Sequence, residues 1–289
     1  MGNNKYTKIV VAISRPEVLK AFRDNIQDKE ADIKFNVMVS YAAINGVAYD
    51  FVCEQRDMIK TLYLDSGAYS VHTGKIQITL SEYSKYINMF GDKFDHIITL
   101  DDDFDDPEHN QLNQKQLEEN LPKGCEWKPI PAIHATDALS EISSYYDEGH
   151  QYVGINCEKK GLDDVFKKVD AKYPDLKIHL FGNLKLKDLK KYKPYSADSA
   201  GWAHMGKNYL VNYWDGNAAN VVDFSGKVGS KKTSSSTHYI DFSKKHPAFK
   251  KFLRETFNYD LNKLIGEADA RFVVNLYYNW QLEQELNKQ

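Results

Sequence analysis

Leu62-Tyr63-Leu64-Asp65-Ser66-Gly67-Ala68-Tyr69-Ser70 decides how this chain is read. It opens as a short apolar run and stops abruptly in an acid, a small flexible turn and an aromatic. A buried strand that delivers one carboxylate at its C-terminal end has this form. Working outward, the arrangement returns along the chain. Apolar runs end in Asp101, His134, Asn156, Gly182 and Asp198, each followed by loop-like residues. The reading is that these ends converge on one pocket.

Strands are predicted at 8–14, 35–41, 61–65, 96–101, 127–134, 151–156, 177–182 and 195–198. Helical segments fall between them. One starts at Pro16-Glu17, and a weaker one covers 44–58. The next is capped by Ser81, with Tyr83, Tyr86, Ile87 and Phe90 at helical spacing. Others lie near 111–120, from Thr136-Asp137 to Tyr146, at 162–172 and at 184–192. Parallel strands need crossover helices. Eight strand–helix units in about 200 residues predict an α/β chain closed into a (β/α)8 TIM barrel. An open doubly wound sheet is the alternative.

After Trp202 the rhythm stops. Residues 226–238 (GKVGSKKTSSSTH) are polar, basic and rich in glycine and serine, the composition of a loop or a β-excursion. Two helices are expected at 243–257 and 259–285. The second carries Leu261, Leu264, Ile265, Ala268, Phe272, Val273 and Leu276 and would pack on the barrel wall. The expected organisation is a catalytic barrel over 1–210, then a basic loop and C-terminal helical extension over 211–289.

Composition bounds the function. The chain has 289 residues, 42% of them hydrophobic, enough for one large α/β core or two modest domains; length alone does not decide. A net charge of −3 argues against a global polycation, so a nucleic-acid partner would need a local basic patch. Cys53, Cys125 and Cys157 lie far apart and form no CxxC or CxC pair. That argues against a cysteine-rich zinc site and for reduced thiols. No segment approaches ~20 apolar residues. The expectation is a soluble cytoplasmic protein with no membrane partner.

Two carboxylates at strand ends, Asp65 and Asp198, can divide labour at a glycosidic carbon. One attacks and the other moves protons. Holding two acids together raises one pKa. The alternative is that each caps the following helix. Asp101 opens an acidic stretch with Asp102, Asp103, Asp105 and Asp106, a composition common in solvated loops and cation sites. Asp101 alone abuts the apolar run, where it could accept hydrogen bonds from N1–H and the exocyclic amine of a guanine-like base. Tyr69 could stack on that base or be a core aromatic. His134 could bind a base carbonyl or be a satisfied structural histidine. Gly154 and Gly182 could allow close backbone approach, or simply fit a tight barrel. Lys227, Lys231 and Lys232, with Lys244, Lys245, Lys250 and Lys251, could grip phosphates or serve solubility.

Asp65-Ser66-Gly67-Ala68-Tyr69-Ser70 resembles the DSGGFQ-type motif of the queuine and archaeosine tRNA-guanine transglycosylases. Leu100-Asp101 is similar to the segment carrying their base-recognising aspartate. Ser196-Ala197-Asp198-Ser199 is similar to the segment carrying their aspartate nucleophile. Order and spacing agree over about residues 60–205. The SxDS-x-x-W ending, Ser196 to Trp202, more closely resembles the shorter, often phage-encoded 7-deazaguanine DNA transglycosylases. The resemblance implies a (β/α)8 barrel that flips guanine out of nucleic acid. An aspartate displaces the guanine from C1′, and a 7-deazaguanine such as 7-cyano-7-deazaguanine enters in its place. By motif position Asp198 would be the nucleophile, Asp65 the general acid/base, Asp101 the base reader and Tyr69 a stacking lid. Ser66 and Gly67 would bind substrate within the motif. His134 stands where the tRNA enzymes usually carry glutamine; Asn156 and Gly182 are looser placements. The implied partners are DNA and a deazaguanine base, with no cofactor and no metal. The same exchange on tRNA, or a non-catalytic nucleic-acid-binding barrel, are the alternatives. A phage-encoded chain would work in the host cytoplasm. Two departures stand out: the CxCxxC…H zinc site of the tRNA enzymes is missing, and Ala68 replaces the second motif glycine.

Overall fold

The structure, a computed structural model, describes residues 6–43, 54–122, 125, 127–134, 138–156, 161–226, 233 and 235–288. Eight strands form one all-parallel sheet. They are β1 Lys8–Ala12, β2 Phe35–Ser40, β3 Ile59–Asp65, β4 His96–Ile97, β5 Ala132–Ile133, β6 Tyr152–Ile155, β7 Lys177–Leu180 and β8 Ser196–Ser199. Their order is β4-β3-β2-β1-β8-β7-β6-β5. The edge strands β4 and β5 are therefore consecutive in sequence. The sheet curls until the chain beside these edges meets at one parallel bridge, Ile98 to Ile130. Thr99 N–H donates to the Ile130 carbonyl at 3.0 Å, and Ile130 N–H to the Ile97 carbonyl at 2.7 Å. The ladders of β4 and β5 are shorter than the apolar runs at 96–101 and 127–134, because pairing beyond them rests on that bridge.

Helices flank the sheet: α1 Glu17–Asn25, α2 Ala68–His72, α3 Leu80–Phe90, α4 Pro107–Glu119, α5 Ala138–Asp147, α6 Leu162–Lys172, α7 Leu186–Tyr192 and α8 Gly201–Lys207. The α3 start differs from expectation. Thr79, not Ser81, caps it, in a reciprocal box with Glu82. Helix α4 likewise begins four residues before 111, because Asp106 caps it and Pro107 occupies the first turn. Of the segment 44–58, only 54–58 are described; they contain a short 3-10 turn, Arg56–Met58.

Strand side chains alternate between two environments. Val10, Met38, Tyr63, Ile98, Ile130 and Ala132 meet on the concave face. Their neighbours Val11, Val37, Leu62, Leu64 and Ile97 pack outward with Val18, Leu19 and Phe22 of α1 and Tyr83 and Ile87 of α3. On the other half Ile133, Val153, Ile155, Ile178 and Leu180 pack against α5, α6 and α7. Both faces of each strand are buried, which explains the near-continuous apolar runs. The same period of two aims Asp65, two after Tyr63, and His134, two after Ala132, at the concave side.

The C-terminal part contains more strand than the loop or β-excursion expected at 226–238. β9 Leu210–Trp214, β10 Ala219–Asp223 and β11 Ser236–His238 form a second sheet, ordered β11-β10-β9. Asp215 closes the antiparallel β9–β10 hairpin by accepting from Asn217 N–H at 2.9 Å and Ala218 N–H at 2.8 Å. The two expected helices are four: α9 Tyr239–Lys245, α10 Ala248–Phe257, α11 Leu261–Gly266 and α12 Ala268–Leu286. The breaks have local causes. Pro247 starts α10, Asn258 turns left-handed at φ 57°, and Asp260 caps α11. Helix α12 locks onto the curled sheet. Glu283, buried, accepts from Ile9 N–H at 2.7 Å and Asn36 Nδ2 at 2.6 Å. Among the described residues no helix is long and apolar enough to cross a membrane.

Candidate functional site

A cavity of about 590 Å³ opens at the C-terminal ends of the parallel strands. Asp65, Asp101 and Asp198 all line it, with His134, Asn156, Gly67, Gly182 and Tyr69. Loops and strand ends from across the sheet thus bring together residues far apart in sequence. Phe104, Phe181 and Trp202 supply aromatic wall. A space of this size fits a nucleoside-sized ligand.

Asp65 ends β3. The chain then turns at Gly67, whose φ of 88° is left-handed. A side chain at Gly67 would meet Ala42 Cβ at 2.4 Å and Ser40 Oγ at 2.9 Å, so glycine is required twice over. The turn returns the Gly67 amide to Asp65 Oδ2 at 3.0 Å. Desolvation, followed by the nearby charges of Asp101 and Asp198, pushes the Asp65 carboxyl up to about 7. Hydrogen bonds from Ser40 and the Gly67 amide oppose this and are outweighed. Asp65 is therefore an acid that gains and loses a proton near neutrality.

Asp101 is buried and its Oδ2 is hydrogen-bonded to His134 Nε2. Burial pushes its pKa up, while the His134 hydrogen bond and charge pull it down. The His134 ring is itself clamped. It stacks on Phe104 at 3.9 Å and 16°, and Phe104 stacks in turn on His72 at 4.3 Å and 15°. Behind it, burial holds the Glu141 carboxyl of α5 up at about 7.

Asp198 sits in the middle of β8 with its carboxylate tied through one oxygen. Oδ1 accepts from the Gly182 amide at 3.0 Å and lies 3.3 Å from His179 Nε2. Gly182 reaches this position at φ 66°. Gly154 has a different task from close approach to a ligand. A Cβ there would meet the Phe181 ring at 2.3 Å, so the missing side chain seats Phe181 in the wall.

The remaining expected residues divide. Tyr69 lies at the rim, 64% exposed, with Lys75 Nζ 5.3 Å from its ring centre; it is not a core aromatic. Asn156 lines the cavity and is exposed. Ser66 does not line it: the side chain is fully buried and Oγ accepts from Ala68 N–H at 3.3 Å. Lys227, Lys231 and Lys232 lie outside the described residues. Lys244, Lys245, Lys250 and Lys251 are exposed on α9 and α10, away from the cavity lining.

Sequence reasoning passed over several lining residues. Arg15 and Lys207 put positive charge on one rim, from the loop after β1 and from α8, and His204 of α8 lines the cavity with them. Arg15 is only loosely engaged, 3.8 Å from Glu17 and 3.9 Å from Asp269. The basic tract after 226 drew attention away from these isolated cations. His179 was also passed over, although one histidine inside Lys177-Ile178-His179-Leu180 is a visible polar interruption.

Set against models of known protein families and against curated proteins, the chain matches none. What the site can do is therefore argued from its chemistry. It offers a proton carrier near pH 7, a tethered carboxylate, a carboxyl–imidazole edge for hydrogen bonding, and flat faces for stacking.

Proposed function

We propose that this chain exchanges guanine in DNA for a 7-deazaguanine base through a covalent aspartyl intermediate. Its curled sheet is read as a (β/α)8 barrel with the reacting groups at its C-terminal mouth. The observation that carries the reading is the meeting of Asp65, Asp101 and Asp198 in one nucleoside-sized cavity. The motif resemblance at Asp65–Ser70, Leu100-Asp101 and Ser196–Trp202 names the chemistry.

The target guanosine leaves the base stack, at a cost of a few kcal/mol, to expose C1′. A free oxygen of Asp198 bonds to C1′ as the bond from C1′ to guanine N9 breaks. Asp65, protonated, gives its proton to the departing base. The incoming deazaguanine then returns a proton to Asp65, and its N9 attacks C1′ and expels the Asp198 carboxylate. Two inversions restore the β-configuration. Asp101, with His134 behind it, meets the N1 and N2 edge of the base, and Tyr69 closes over its face. Arg15 and Lys207, which line the cavity, would meet flanking phosphates in this reading.

The test is base exchange. Protein, DNA and radiolabelled guanine or 7-cyano-7-deazaguanine are incubated, and label in the DNA is counted. Incorporation is expected, and Asp198→Ala is expected to abolish it while DNA binding persists. Label entering tRNA but not DNA would transfer the reading to the tRNA reaction. Exchange surviving in Asp198→Ala would remove the covalent step.

A further inference from the structure

His179 has no part in the reaction just described, yet it is fully buried inside the curled sheet. Its Nε2 lies 3.3 Å from Asp198 Oδ1 and its Nδ1 lies 2.5 Å from Ser196 Oγ. Ser196 Oγ lies 2.5 Å from the Tyr152 hydroxyl, which lies 3.2 Å from the Tyr63 hydroxyl. Side chains of β3, β6, β7 and β8 thus stand in single file, and the file ends at Asp198.

Counting hydrogens gives the file a direction. A carboxylate only accepts, so His179 Nε2 carries the hydrogen. With the ring neutral, as the proposal below requires, Nδ1 is then the acceptor, and Ser196 must donate to it. Ser196 has one hydrogen, so Tyr152 donates to Ser196. Tyr152 likewise has one, so Tyr63 donates to Tyr152. Each polar hydrogen is spent toward Asp198. The Gly182 amide gives the same oxygen its second donor at 3.0 Å. Asp198 Oδ2 has no hydrogen-bond partner among the described residues. His96, the other histidine beside this file, is held down at about 4, mainly by burial, so it adds no charge at neutral pH.

We propose that His179 is a positioning residue. Held as its Nε2–H tautomer by Ser196, Tyr152 and Tyr63, it pins Asp198 through Oδ1 and leaves Oδ2 as the attacking oxygen. The physical need is plain, because the terminal torsion of an aspartate is broad and two-fold. An unpinned carboxylate spends most of its time away from the attack geometry. The role in attack rests on the transglycosylase reading; the tautomer does not.

Two measurements test it. The first is a proton–nitrogen multiple-bond NMR spectrum of the full chain labelled with ¹⁵N-histidine, with His179 assigned by its loss in His179→Gln. The neutral Nε2–H pattern is expected at pH 7; an Nδ1–H pattern or an imidazolium overturns the proposal. The second is exchange kinetics on DNA with labelled guanine. His179→Leu should lower kcat on the order of 10- to 100-fold, with KM for DNA within about twofold. His179→Gln, whose amide still donates toward Asp198, should recover most of that loss. An unchanged kcat in His179→Leu, or equal losses in both variants, overturns the proposal. Should His179→Leu not fold, Ser196→Ala replaces it: loss of the donor to Nδ1 should shift that nitrogen's resonance, and an unmoved resonance counts against the file. If the wild-type protein exchanges no base, the transglycosylase reading falls, and the NMR spectrum still decides whether His179 pins Asp198.

Discussion

Replacing Asp65 by asparagine should make the protein more stable at pH 8 and nearly inactive. The carboxyl sits at about 7 in the fold, against an ordinary value of 3.8, chiefly because it is desolvated and then because Asp101 and Asp198 lie near. Below pH 3.8 it is protonated in the folded and unfolded chains alike. Between 3.8 and about 7 the folded chain keeps a proton that the unfolded chain has released, so stability falls as pH rises through this window. The full shift corresponds to about 4 kcal/mol, and partial solvent access at the cavity reduces that to roughly 2–4 kcal/mol. Asparagine keeps the shape and can still accept from the Gly67 amide, but never takes the charge. For a chain of 289 residues an unfolding entropy of about 0.6 kcal/mol/K turns this into a rise of roughly 3–7 °C in Tm at pH 8. At pH 4 the two proteins should melt together. Thermal melts of both proteins from pH 4 to 9 measure it, alongside base exchange, which should fall about 10²- to 10⁴-fold with the proton carrier gone. A variant less stable than wild type at pH 8, or a Tm difference that ignores pH, would refute the electrostatic reasoning.

Three further outcomes are expected. Gly67→Ala should cost about 1–3 kcal/mol in chemical denaturation, because the position has φ 88° and its new Cβ meets Ala42 at 2.4 Å. Tyr69→Ala should raise KM for the incoming base about tenfold, because the base no longer has a ring to stack on. It should scarcely move Tm, since the ring is 64% exposed. Arg15→Ala and Lys207→Ala should each flatten the log–log dependence of DNA affinity on salt by about 0.9 for every phosphate left without its cation, measured by fluorescence anisotropy. Slopes equal to wild type in both variants would show that this rim touches no phosphate.

Much of this molecule was legible in its sequence, for identifiable reasons. Buried parallel strands are apolar on both faces, so each run and its polar end stood out, and Asp65, Asp101, His134 and Asp198 were found that way. The same double burial hid which face turns inward. Ser66 and Asp65 are adjacent, and only the register of β3 decides that Asp65 reaches the cavity while Ser66 is buried beneath the turn. Boundaries failed where caps compete. Thr79 and Ser81 are both plausible starts for α3, and only Thr79 has Glu82 at the right spacing. The second sheet did leave a signal: Asp215-Gly216-Asn217 between two β-rich runs is a hairpin turn. The apolar spacing of 259–285 ran across the break at Glu267, because helices α11 and α12 bury continuous stripes on either side of it.

The deeper reason the site was only half legible is that its chemistry depends on how three like charges are accommodated together. Charged and unpartnered in one partly dry cavity, they would oppose folding by several kcal/mol. Each strand end answers differently. Asp101 takes an imidazole, whose ring is fixed by stacking on Phe104. Asp198 takes two donors on one oxygen, the Gly182 amide and His179. Asp65 receives only Ser40 and a turn amide, too little to offset desolvation, and so holds a proton up to about 7. Three identical residues thereby become a hydrogen-bonding edge, a tethered acceptor and a proton carrier. The difference is written in the partners, Gly67, His134, His179 and Gly182: the strand-end pattern marks His134 and Gly182 as positions without saying which aspartate each meets, and it passes over His179, which lies inside β7. Three aspartates in one cavity are thus told apart by what each one meets: a turn glycine, a stacked histidine, and a buried file of hydroxyls behind His179.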